Sequence, residues 1–124
     1  MRIAVSGTAN IGKTTVIRDF LAGGPSYQFE KYTYRDKLIE EGLDHSSKTN
    51  KKVQSLILKD MVTNLKKYSK SDNVIFDRCP LDNIVYSLWS LGKQDSDIDE
   101  KFIDKCLPIV KEAMRNLDII FFIP

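Results

Sequence analysis

Gly7 and Gly12 are separated by four residues, Thr8, Ala9, Asn10 and Ile11, and the second glycine is followed at once by Lys13 and Thr14. That pattern suits a polyanion. A glycine-bounded turn lets successive backbone N–H groups point inward as a nest, and a helix starting beside it adds its positive end. Lys13 would carry a mobile positive charge to the β- and γ-phosphates of ATP or GTP, and Thr14 would offer a hydroxyl to Mg²⁺. Thr15 follows with a further hydroxyl or backbone donor, expected near the α-phosphate. A dinucleotide-binding loop is the rival reading. It is rejected because Ala9 stands where that fingerprint needs its second glycine.

A second cluster lies sixty-odd residues on. Asn73-Val74-Ile75-Phe76-Asp77 reads as an apolar strand ending in a carboxylate, and Arg78 comes next. In a parallel sheet the carboxyl end of such a strand lies beside the phosphate loop, where ligands collect. Asp77 there could hold the water shell of Mg²⁺ or take a proton from an attacking hydroxyl. Capping of the following helix is the blander alternative for this acid. Arginine is scarce, with only Arg2, Arg18, Arg35, Arg78 and Arg115, so its position after the strand-end acid draws notice. A guanidinium offers a planar fork suited to phosphate or to a nucleoside oxygen.

Taken with the upstream Walker A loop, Asp77-Arg78-Cys79-Pro80-Leu81-Asp82 after an apolar strand resembles the P-loop nucleoside and nucleotide kinases. The pattern is most similar to the small AAA-type kinase-like domains related to ribosylnicotinamide kinase, and thymidylate and deoxynucleoside kinases share the acid–arginine pair. Most of the chain is covered, although only the loop and that pair are specific. The resemblance implies an ATP- and Mg²⁺-dependent phosphotransferase acting on a nucleoside, nucleotide or related small acceptor. It implies Lys13, Asp77 and Arg78 as catalytic groups, Gly7 to Thr15 around the triphosphate, and Thr14 with Asp77 at the metal. Arg35, Gln54 and Arg78 would then face the acceptor. Relatives often place a Glu three residues before the arginine matched by Arg35; here that position is Tyr32, and Glu30 is out of register. Asp77 is therefore expected as general base in preference to Glu30. A regulatory ATPase or nucleotide-dependent switch without a small acceptor is the reading from a different class.

These residues need a scaffold that delivers strand ends to one place. Arg2 to Ser6 reads as a buried strand, and Thr14 to Ala22 as a helix with Val16, Ile17, Phe20 and Leu21 inward. Tyr27 to Phe29 is a short second strand, Tyr34 to Glu41 a helix, and Asp44 to Asn50 a polar loop in which His45 is given no role. Lys51 to Tyr68 is an amphipathic helix with Val53, Leu56, Ile57, Met61, Leu65 and Tyr68 along one side. Pro80 to Leu91 is expected to turn Leu81, Ile84, Val85 and Leu88 inward, with Trp89 also in the core. Asp97 and Glu100 have capping-box spacing for a last long helix, which Pro108 should kink or split. Its inner face reads Phe102, Ile103, Cys106, Leu107, Val110, Ala113, Met114 and Leu117. Asp118 to Ile123 is expected as a fully buried strand. Alternating strands and helices with near-continuous apolar strands imply an α/β fold, a P-loop NTPase-type three-layer α/β/α architecture around a parallel sheet.

Bulk properties exclude several classes. The 124 residues fit one domain, and a net charge of +2 creates no field that would favour nucleic acid. Lysines 48, 51 and 52 lack interleaved aromatic residues and read as a solvated helix start. The longest apolar run, Ile119 to Ile123, is too short to cross a bilayer. Cys79 and Cys106 have no metal or redox spacing, which implies buried reduced thiols in the cytoplasm. The expected partners are a nucleoside triphosphate and a small acceptor, and a homodimer is allowed. Kinases of this type continue past the fourth strand with an arginine-bearing lid and a fifth strand. The sequence stops at Pro124, so the fold is expected to be truncated there and to bind nucleotide better than it turns it over.

Overall fold

The computed structural model describes residues 1–7, 12–23, 26–33, 40, 42 and 49–124. Four strands, β1 (Arg2–Gly7), β2 (Gln28–Glu30), β3 (Val74–Asp77) and β4 (Ile119–Ile123), pair in the order β2-β3-β1-β4, and every pairing is parallel. Parallel neighbours cannot be joined by a hairpin, so each needs a crossover. Helices α1 (Lys13–Gly23), α2 (Lys51–Lys66), α3 (Pro80–Ser90) and α4 (Glu100–Met114) lie in those crossovers.

Side chains of the central strands alternate across the sheet and are buried on both sides. Ile3, Val5 and Ile75 pack with Ile17, Phe20 and Leu21 of α1. Ala4, Val74 and Phe76 point the other way, onto Leu65 of α2, Cys79 and Ala113 of α4. A second cluster, Leu58, Ile84, Cys106 and Val110, joins α2, α3 and α4 to one another. The architecture is thus three-layered α/β/α around a parallel sheet, as the sequence implies. No helix among the described residues is long and apolar enough to cross a membrane.

One charged side chain organises the amino-terminal edge of this layer. Arg2 is only 3% exposed. Its guanidinium donates to the carbonyls of Leu65 in the last turn of α2, of Ser69 just beyond that helix and of Asn116 after α4. It also lies over the Phe76 ring at 5.3 Å, while the Arg2 backbone N–H donates to Asp118 Oδ2 at 2.8 Å. Helix carboxyl ends present unpaired carbonyls and the negative end of the macrodipole. A planar cation buried between two of them satisfies both at once.

Several sequence expectations are corrected. In α3 only Ile84 of the expected apolar face is buried; Leu81, Val85 and Leu88 are exposed, and Trp89 is 58% exposed. The helix turns Asn83 and Ser87 inward instead, where the Gln54 side chain on α2 donates to the Asn83 carbonyl and the Ser87 hydroxyl and the Asn83 side-chain amide donates to the Gln54 carbonyl. Pro108 does not split α4, which runs unbroken from Glu100 to Met114 with Pro108 on its exposed face. Leu107, on that same face, is exposed. The N-cap of α4 is Asp99, whose side chain accepts from Phe102 N, while Asp97 accepts from Lys51 N across to α2. Strand β4 lies at the sheet edge with Phe121 and Phe122 exposed, not fully buried. Most of the helix expected over residues 34–41, and His45, lie outside the described residues.

Replacing Arg2 with Ala should lower stability by about 3 kcal/mol, since charged hydrogen bonds and two helix ends are lost together. Arg2→Lys should recover only part of this, because an ammonium lacks the fork. Urea unfolding at unchanged m-value measures both. A loss for Arg2→Ala below about 1 kcal/mol would show that these carbonyls find other partners.

Candidate functional site: a phosphate loop against a strand-end acid

Parallel pairing of β1 with β3 sets Val5 opposite Asp77, so both strands finish at the same end of the sheet. Arg78 N donates to Val5 O at 2.9 Å and carries the pairing one residue further. Gly7 closes β1 with φ 144°, and Gly12 precedes α1 with φ 93°, two conformations in which a side chain would be strained. Thr8, Ala9, Asn10 and Ile11 lie outside the described residues. Val16 N donates to Gly12 O at 3.0 Å, so the first helical turn of α1 begins at the second glycine of the motif. Lys13 is therefore the first residue of α1, only 7% exposed, while Thr14 and Thr15 stand exposed in the same turn.

Burial holds the Lys13 ammonium below its ordinary pKa and nearby Arg78 adds to this, while Asp77 and Asp82 act in the opposite direction. Burial likewise pushes the Asp77 carboxyl up, against the pull of Lys13 and Arg78. Asp77 Oδ1 is buried without a hydrogen-bond partner. A buried carboxylate oxygen left in that condition costs free energy that a cation or a donated proton would return.

Arg78 has φ 74°, the one described non-glycine residue on the positive side. Such a backbone costs on the order of 1–3 kcal/mol and persists where surrounding contacts over-determine it. Here they do. The Arg78 backbone is tied to Val5, one guanidinium nitrogen donates to Gly7 O at 3.2 Å, and the group lies 5.2 Å over the Tyr32 ring. The strained turn aims the arginine back across the end of β1 instead of out along β3.

Asp82 is the residue that the sequence reading missed. Its Oδ1 accepts from Ser6 Oγ at 2.5 Å and from Gly7 N at 3.3 Å, while Oδ2 accepts from Cys79 N at 2.9 Å. It sits at the third position of α3, closing a capping box whose N-cap is Cys79, with Pro80 in the first turn. The signal was available as an acid three residues after a candidate N-cap. What could not be read was that its second oxygen reaches the start of the phosphate loop. The Cys79 thiol, pushed up to about 12 by burial with Asp82 adding to it, has no thiolate to offer near neutral pH.

The other candidates divide. Gln54 is fully buried between α2 and α3, its side-chain nitrogen donating to Asn83 O at 3.3 Å and Ser87 Oγ at 3.2 Å. Arg35 lies outside the described residues. Glu30, the alternative base, accepts from the Tyr68 hydroxyl and pairs with Lys67 Nζ at 3.3 Å, so its carboxylate is engaged on the β2 side. The described residues contain no group of three or more His, Cys, Asp or Glu side chains that could hold a metal. One acid with an unpaired oxygen, Asp77, fits Mg²⁺, which keeps several waters and takes further ligands from phosphate. It does not fit a metal that demands an all-protein cage.

Comparison with known proteins agrees with this geometry. A sequence profile described as an AAA domain matches residues 2–117. No curated protein matches. Among solved structures, deoxyadenosine kinase from M. mycoides with bound dATP superposes with a TM-score of 0.69 at 26% identity, covering 99% of this chain and 64% of that one. The same kinase with the products dCMP and a flexible dCDP gives 0.67 at 19% identity with the same coverages. NadR in complex with NR gives 0.72 at 16% identity, covering 98% of this chain and 32% of that one. The chain thus spans about two thirds and one third of these neighbours, respectively. With its parallel sheet, its helix-start lysine and its strand-end acid in the positions such a fold requires, the chain belongs to the AAA domain family and has a kinase-like P-loop fold.

Proposed function

We propose that this chain is an ATP- and Mg²⁺-dependent phosphotransferase that acts on a nucleoside, nucleotide or related small acceptor. The observation that carries the reading is the meeting of buried Lys13 with Asp77, whose Oδ1 is buried and unpaired, at the carboxyl ends of adjacent parallel strands. Backbone donors from Gly7 to Thr15, with Thr8, Ala9, Asn10, Ile11 and Gly12 between them, would cradle the phosphates, and Lys13 would reach the β- and γ-phosphates. Thr14 and Asp77 would hold Mg²⁺, which when bound neutralises charge on the phosphates.

In the proposed transfer, an acceptor hydroxyl gives its proton to Asp77, its oxygen bonds to the γ-phosphorus, and the bond to the β–γ bridging oxygen breaks to leave ADP. Arg78 would exchange its contact with Gly7 O for the acceptor or the moving phosphoryl group, and Arg35 and Gln54 complete the proposed acceptor set. Free thiols at Cys79 and Cys106 support a reducing, cytoplasmic compartment. A homodimer belongs to the proposal, with the outward stripe Leu81, Val85, Leu88 and Trp89 of α3 as the surface a second copy would cover.

A second reading, a nucleotide-dependent switch or regulatory ATPase without a small acceptor, is favoured by one observation. The Gln54 amide nitrogen is already occupied within the helix layer. Radiolabelled ATP with nucleosides, nucleoside monophosphates, nicotinamide riboside and 5′-hydroxyl oligonucleotides separates the two. Label is expected on one acceptor class, and acceptor-independent hydrolysis alone would select the switch. Lys13→Ala should weaken ATP binding about 100-fold by equilibrium dialysis; full affinity in that variant would count against both readings.

Asp77 gives a pH-dependent test. Its folded-state pKa is raised, so the folded chain holds that proton more tightly than the unfolded chain. The resulting stabilisation is complete below the ordinary carboxylate value and is lost as pH rises through the folded-state value. Near neutral pH, Asp77→Asn should therefore raise the melting temperature of the nucleotide-free protein by a few degrees, roughly 1 kcal/mol, while removing transfer. The gap should close as pH is lowered. A melting temperature unchanged or lower near neutral pH would show that the ionised carboxylate is already satisfied.

A further inference from the structure

Away from the phosphate loop, α2 and α4 diverge enough to leave an open groove of about 590 Å³. Its floor is apolar: Leu58 and Val62 from α2, and Phe102, Cys106 and Ile109 from α4. Leu58 and Cys106 are buried at the bottom, whereas Ile109, at the edge of the floor, is 50% exposed. The small side chains of Ser55 and Thr63 keep the α2 wall low.

The rim has one sign. Lys51, Lys52 and Lys59 line the α2 side and Lys105 the α4 side, and among the described residues no carboxylate lines the groove. Lys51 is paired with Asp99 at 3.1 Å, but among the described residues Lys52, Lys59 and Lys105 have no ion-pair partner. The charges are spread along the groove and over both walls, not gathered at one end as a single headgroup would require. From Lys51 to Thr63 the lining of α2 runs roughly 18 Å at 1.5 Å per residue, the span of three to four helical turns.

We propose that this groove docks an acidic amphipathic helix of a partner protein, its apolar stripe at i, i+3 and i+7 on the floor and its Glu or Asp side chains against Lys52, Lys59 and Lys105. The helices of this chain do not supply that chemistry. Among the described helices, α1 has one acid, Asp19, and α2 is lysine-rich; the outer stripe of α3 has no acidic flank, its one acid being Asp82 at the β1 end, and the acids of α4, Glu100, Asp104 and Glu112, are matched by Lys101, Lys105 and Lys111. A second copy is therefore a poor fit for the groove, and a foreign acidic helix a good one.

The test uses the full chain with three stapled helical peptides of about 14 residues sharing one leucine stripe and differing in flanks of Glu, Gln or Lys. Backbone amide shifts and fluorescence anisotropy report the binding. The Glu-flanked peptide should bind saturably, shift amides over residues 55–63 and 102–109, and bind about 10-fold tighter than the Lys-flanked one. The surface double variant Lys59→Glu/Lys105→Glu should invert that order, and Ile109→Gln should weaken every peptide, with melting temperatures confirming that both variants fold. The proposal is overturned by equal affinity for the three peptides, by saturable binding from none, or by shifts confined to α3. It is also overturned if dodecanoate occupies the groove and excludes the Glu-flanked peptide, or if sedimentation shows a dimer dispersed by Ile109→Gln.

Discussion

The site depends on the parallel, in-register pairing of β1 with β3. Because Val5 stands opposite Asp77, the chain leaves β1 into the phosphate loop at the level where it leaves β3 into Asp77-Arg78. A slip of one residue would turn Asp77 to the other face of the sheet and separate it from Lys13. The register is held by burial on both faces of both strands, with Ile3, Val5 and Ile75 against α1 and Ala4, Val74 and Phe76 against α2 and α4. Packing that looks purely structural therefore sets the distance between the two charges that matter most.

Two carboxylates beside that junction do opposite jobs. Asp82 is satisfied on both oxygens, tying Ser6 and Gly7 of β1 to the first turn of α3, so the loop starts from a fixed point. Asp77, five residues earlier, has a buried oxygen with no partner, and Lys13 is buried beside it with its charged form disfavoured. A fold that satisfies one acid and leaves its neighbour unsatisfied stores free energy where a ligand can release it. The strained Arg78 backbone is a third such reservoir, held by β1 on one side and Tyr32 on the other. Stability elsewhere, including the buried Arg2 that joins the ends of α2 and α4, has to offset these costs.

The helix layer shows the limit of periodicity as a guide. Apolar spacing in 80–91 identified a helix but not its rotation, because nearly every side of α3 carries large apolar residues. A reciprocal amide contact decided the rotation: Asn83 Nδ2 donates to Gln54 O at 3.0 Å, and Gln54 Nε2 reaches Ser87. Polar groups that must be satisfied when buried outrank apolar groups that merely prefer burial. Leu81, Val85, Leu88 and Trp89 were left outside for that reason. Pro108 likewise did not split α4, although it removes one backbone hydrogen bond from the helix interior.

By itself the sequence determined what depends on local chemistry. The glycine spacing and Lys13-Thr14 specify a phosphate nest at a helix start, the apolar runs specify buried strands, and an acid–arginine pair at a strand end marks the ligand side of a parallel sheet. Those properties are set by a few neighbouring residues whose backbone preferences and functional groups are visible in order. Only the tertiary structure decided which side chains became partners: Asp82 with Ser6 and Gly7, Arg2 with the ends of two helices, Gln54 with α3. Each joins residues 29 to 114 positions apart, so its existence depends on register, helix rotation and the competition among buried polar groups for partners. No window of sequence contains that competition, because it is settled when the layers close and water leaves.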